Sequence, residues 1–127
     1  MKFTKEEISL CKQVAEKHMK PIEYGDWLLN EGGFAKVWPY RHNCKRIDVI
    51  PLWTIPDCLE FLRKRNFEMS LCYFNKFSGY RIQIWKPEIT QAFYSDYDLD
   101  RSLEQCTHKT PLEACLKAVS AVLEEEK

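Results

Sequence analysis

Apolar positions along the chain follow two rhythms, and each predicts elements. The clearest is helical and lies near the end. Leu112, Cys115, Leu116, Val119, Val122 and Leu123 recur every three or four residues and make one apolar stripe. Thr110 stands where an N-cap belongs, Pro111 occupies the first helical position, and Glu113 completes a capping box, which predicts a helix over 110–126. A similar start at Thr4 and Glu7 opens a helix to about Met19, with Ile8, Cys11, Val14, Ala15 and Met19 on its apolar face, His18 in its last turn and Pro21 after it. A third follows Ile50-Pro51-Leu52-Trp53. Thr54 caps it, Pro56 is tolerated in the first turn, and Asp57 supplies an acid there. Cys58, Leu59, Phe61 and Leu62 are its apolar residues, Arg63, Lys64 and Arg65 suit its negative end, and Asn66 stops it.

The second rhythm is alternation. Phe67, Met69, Leu71 and Tyr73 alternate with Glu68, Ser70 and Cys72; a turn at 75–79 follows, and Tyr80, Ile82 and Ile84 alternate with Arg81, Gln83 and Trp85. Thr90 to Ser95 reads as a third strand of this antiparallel meander. Upstream, Asn30-Glu31-Gly32-Gly33 separates Trp27–Leu29 from Phe34–Trp38 and predicts a hairpin. The runs 41–45 and 97–109 read as connections. The expected fold is α+β: three helices on a small antiparallel sheet made of the meander and the hairpin, in one domain of 127 residues. Trp85, Phe74 and Arg81 are then core if helices cover both sheet faces, an exposed patch if they cover one; core is expected.

Composition narrows the function more by exclusion than by pointing. Hydrophobic residues at 45% and aromatics at 13% argue against disorder, and nineteen basic residues balance nineteen acidic ones, so overall charge gives no reason to expect nucleic acid. No apolar run reaches the ~18 residues of a membrane span, and the first residues lack a signal-peptide core. The expectation is therefore a cytoplasmic protein with no membrane association. In that reducing setting the six cysteines are expected as free thiols, three of them (Cys11, Cys58, Cys115) on buried helix faces; no Cys-x-x-Cys pair suggests zinc.

The opening amphipathic helix from Thr4, the run Ile50-Pro51-Leu52-Trp53-Thr54-Ile55 leading to Asp57-Cys58-Leu59-Glu60-Phe61-Leu62, and the closing Thr110-Pro111-Leu112-Glu113-Ala114-Cys115-Leu116-Lys117-Ala118 together resemble small phage and prophage proteins that carry the phage ABA (α/β/α) sandwich domain. With the aromatic meander, the resemblance covers about two thirds of the chain, by order more than by identity. It implies an α/β/α sandwich-like arrangement and a phage accessory protein in the cytoplasm of a bacterial host. It transfers no catalytic or binding residue.

One segment offers candidate binding chemistry. From Lys36 to Asn66, seven basic side chains stand against three acidic ones, a local excess of four, and Trp38, Tyr40, His42 and Trp53 are interleaved with them. Lys36, Trp38, Tyr40, Arg41, His42, Lys45, Arg46, Arg63 and Arg65 are the expected binding residues. They suit a host or phage protein as partner; nucleic acid is disfavoured, because the two basic clusters would have to meet on one face, and a homodimer is left open. Asp96, Asp98 and Asp100 superficially follow a calcium loop, but Arg101 and Thr107 stand where its glycine and closing glutamate belong. They read as a solvated acidic loop. Cys106-Thr107-His108 and His42-Asn43-Cys44 place thiol and imidazole two apart, which falls well short of a nucleophile signature. No catalytic residue, metal site or cofactor is expected. The leading expectation is a non-enzymatic binding protein, with counter-defence as one role such phage proteins fill. A small-ligand or nucleotide-sequestering protein is the alternative, and a thiol or metal enzyme comes last.

Overall fold

The computed structural model describes residues 2–30, 32–43, 49–96 and 107–126. The chain forms two compact units, Met1–Trp53 and Thr54–Lys127. Among the described residues, three α-helices and two three-stranded antiparallel sheets make it an α+β protein.

The first unit begins with α1 (Lys5–Lys17), which the predicted capping box opens: Glu7 N donates to Thr4 Oγ1 at 3.1 Å and Thr4 N donates to Glu7 Oε1 at 2.8 Å. Its buried stripe is Glu7, Leu10, Cys11 and Val14, rotated from the expected one. Met19 is 51% exposed, because the helix ends at Lys17 and His18 is already extended. The hairpin forms as expected from β1 (Trp27–Leu29) and β2 (Ala35–Val37). Gly33 takes a φ of +81° that a side chain would strain, and Asn30 closes the turn by accepting from Phe34 N at 3.0 Å.

Ile50–Leu52, which the sequence showed only as a lead into the second helix, is a strand, β3, and pairs with β1. The order is β2-β1-β3, so β1 is central. Pro51 fits because β3 lies at the sheet edge, where a missing donor is tolerated. Helix α1 packs on β3, and Trp53 N donates to Cys11 Sγ at 3.4 Å in the buried seam.

In the second unit, α2 (Ile55–Lys64) carries a complete Thr54/Asp57 capping box, and Asn66 at φ +63° ends it. Strands β4 (Glu68–Phe74) and β5 (Gly79–Trp85) pair along their full length. The third strand is shorter than expected: β6 is only Tyr94–Ser95, since residues 90–93 bend before the chain meets β5. Helix α3 (Pro111–Glu125) lies on β5 and α2. Its stripe is buried as the spacing required, with Val119 at 0% and Leu123 at 4% exposure, over Ile82 and Ile84. Cys11, Cys58 and Cys115 are buried and form no disulfide among the described residues. Arg81 is buried, its guanidinium 5.0 Å from the Phe74 ring centre.

Beyond β6 the expected solvated acidic loop needs correction at Asp96, which is buried. It accepts from Ile82 N at 2.8 Å and from Tyr94 Oη at 3.0 Å, and lies 3.1 Å from His108 Nε2. Asp98, Asp100 and Cys106 lie outside the described residues. His108 exchanges two backbone hydrogen bonds with Tyr80, at 2.7 and 2.8 Å. Gly79 makes that approach feasible: a Cβ there would overlap the Thr107 side chain and crowd the His108 carbonyl. Glu113 N donates to Thr110 Oγ1, as a capping box requires, but the Glu113 carboxylate faces His108 Nδ1 at 3.6 Å.

Candidate interaction surface

The outer edge of β2 is the most exposed regular backbone in the first unit: Ala35, Lys36 and Val37 are all exposed. In an antiparallel ladder, alternate residues turn their backbone groups toward the neighbour. Asn30 N bonds Phe34 O and Trp38 N bonds Asp26 O, so with Leu28 opposite Lys36 the inward-facing residues of this stretch are Phe34, Lys36 and Trp38. The N–H and C=O groups of Ala35 and Val37 therefore point outward, along an edge where no further strand pairs among the described residues. Exposed edges of this kind are templates for strand addition.

Aromatic side chains continue the edge. Trp38 packs partly on the small core of Ile22, Leu28 and Val49, and its Nε1 donates to His42 O at 2.7 Å. That bond folds 38–42 back on itself. The Tyr40 ring meets Trp38 edge-on at 5.0 Å and stacks on His42 at 5.4 Å, while Trp38 and His42 stand 5.8 Å apart. Phe34 is 70% and Tyr40 53% exposed. Lys36 and Arg41, both exposed, make no ion pair among the described residues.

Five of the nine expected binding residues (Lys36, Trp38, Tyr40, Arg41, His42) thus share one stretch of the first unit. Lys45 and Arg46 lie outside the described residues, as does Cys44. Arg63 and Arg65 belong to the second unit, where they are engaged. Arg63 grips Glu60 with two bonds, 3.1 and 2.7 Å, which holds the Glu60 carboxyl below its usual range and raises the guanidinium. Arg65 bonds Glu126 at 2.6 Å and lies 3.7 Å over Phe61. Sequence reasoning counted these cations but could not see their carboxylates; it also missed the open strand edge, which depends on which partner β1 takes on its other side.

No family model, curated protein or solved structure matches this chain.

For chemistry, buried Asp96 and His108 with half-buried Glu113 are the closest approach to a catalytic constellation among the described residues. His108 Nε2 and Asp96 Oδ2 stand within hydrogen-bond distance, 3.1 Å apart, in the buried interior of the second unit. Asp96 also holds Ile82 N and the Tyr94 hydroxyl, which ties β5 to β6 and, through His108, to the residues that precede α3. Among the described residues no cluster of three histidine, cysteine, aspartate or glutamate side chains is arranged to hold a metal ion, and no helix is long and apolar enough to cross a membrane.

Proposed function

We propose that the chain is a non-enzymatic recognition protein that docks an extended, acidic segment of a partner protein along the open edge of β2. The observation that carries this reading is the outward-facing backbone of Ala35 and Val37, flanked by exposed Phe34 and Tyr40 and by Lys36 and Arg41. Main-chain bonds to Ala35 and Val37 supply affinity, the rings supply pockets for alternate side chains, and the two cations choose an acidic sequence. The resemblance of the three helix-bearing segments to phage ABA sandwich proteins supports a phage or prophage origin. In that setting the partner is a host or phage protein in the bacterial cytoplasm, and counter-defence is a role the surface would serve.

The test is selection from a displayed library of random peptides, followed by titration against Val37→Pro and the Lys36→Ala/Arg41→Ala pair. Proline removes one outward N–H without touching the ladder to β1. Enrichment of acidic, extended peptides, with about tenfold or greater loss of affinity in each variant and an unchanged fold, supports the proposal. Peptides that bind Val37→Pro as well as the parent overturn it.

A further inference from the structure

Within the second unit, a pair of hollows invites a reading that does not depend on the β2 edge. Two adjoining hollows of about 440 and 310 Å³ share Lys86, Phe93 and Glu125. Their size falls within the range of small-molecule sites, roughly 300–1,000 Å³. Among their lining side chains Phe67 and Phe93 meet edge-on at 5.0 Å, and Ala121 and Val122 of α3 add aliphatic surface.

The rim carries two opposite charges that do not neutralise each other. Lys86 Nζ sits 5.2 Å over the Phe67 ring, which keeps it at the mouth, and it forms no ion pair among the described residues. Glu125 forms none either. The neighbouring cation, Arg65, is already committed to Glu126 and Phe61. Glu125 is also misplaced by the rules of helix electrostatics. It ends α3, where the helix dipole is negative, and no basic residue occupies the last turn. A bound cation would relieve that repulsion.

We infer that this groove binds a free α-amino acid with a large apolar side chain, its carboxylate on Lys86, its ammonium on Glu125 and the α3 terminus, and its side chain between Phe93 and Val122. The zwitterion answers both rim charges at once. A simple carboxylate or amine answers one and leaves the other desolvated.

Calorimetric titration of the full chain at pH 7 with L-phenylalanine, L-tryptophan, L-leucine, 3-phenylpropionate and 2-phenylethylamine tests this. At least one of the three amino acids should bind saturably, with 3-phenylpropionate and 2-phenylethylamine weaker by about tenfold or more. Lys86→Gln should weaken that amino acid about tenfold while sparing 2-phenylethylamine, and Glu125→Gln should weaken it while sparing 3-phenylpropionate. Both side chains are on the surface of the groove, and circular dichroism checks that the variants fold. The inference is overturned if no amino acid binds by a concentration on the order of 10 mM. It is also overturned if a half-ligand matches the zwitterion, or if both variants bind like the parent.

Discussion

The carboxylate of Asp96 meets the imidazole of His108 at 3.1 Å inside the second unit, although the two are twelve residues apart. Asp96 follows β6, and His108 returns to the same edge of β5 through its two backbone bonds with Tyr80. The pair therefore pins both ends of the intervening segment to one strand. Asp96→Ala should strand the buried Ile82 N–H, a loss of about 1–3 kcal/mol, and remove the carboxylate that meets the Tyr94 hydroxyl and the His108 ring. Urea unfolding should show a loss of at least about 2 kcal/mol; an unchanged midpoint would mean that water replaces the carboxylate.

Gly79 depends on the same approach. Because a Cβ there meets Thr107 and the His108 carbonyl, Gly79→Ala must displace the Thr107 side chain and crowd the His108 backbone beside β5. Thermal unfolding should show destabilisation of about 1–3 kcal/mol, the range for overpacking. Thr107→Gly should recover part of it, since the worst clash is with that side chain.

Cys115 gives a pH signature. Burial raises its thiol from 9.0 to about 11. Below pH 9 both folded and unfolded chains hold the proton and the group contributes no pH dependence. Between pH 9 and 11 the unfolded chain releases it while the folded chain keeps it, so stability falls with rising pH, by up to about 2–3 kcal/mol. Cys115→Ala should flatten that part of the profile. Parallel profiles for parent and variant between pH 8 and 10.5 would show that the thiol is not desolvated. The same burial predicts slow alkylation of Cys115 in the folded state.

The helix–sheet seam of the second unit should be the least forgiving region. Leu116 is fully buried, and Leu116→Ala should cost about 2–5 kcal/mol in urea unfolding. Arg63→Ala should barely move the same midpoint, because its bonds to Glu60 lie in solvent.

Helix positions were legible because their signals are local. Thr4, Thr54 and Thr110 each cap the predicted helix, and the stripe of α3 is buried residue by residue. The β4–β5 pairing was legible for a similar reason, since its alternation and short turn need no distant information. What escaped depends on partners far along the chain. Ile50–Leu52 contains a proline and is only three residues long, so only β1 makes it a strand. Asp96 looked like one acid in an acidic run until Ile82 and His108 surrounded it. Glu113 looked like half of a capping box, yet its carboxylate turns toward a buried imidazole. The candidate surface was half legible: Lys36 to His42 could be read from composition, whereas the pairing of Arg63 and Arg65 with Glu60 and Glu126 could not.

The proposed strand addition is most directly tested by amide hydrogen exchange at Ala35 and Val37, followed by NMR with and without a selected acidic peptide. Both outward N–H groups should exchange rapidly in the free protein and slow at least about tenfold when the peptide is bound, while Lys36, already bonded to β1, changes little. If a bound peptide leaves Ala35 and Val37 unprotected, the edge of β2 is not where this protein recognises its partner.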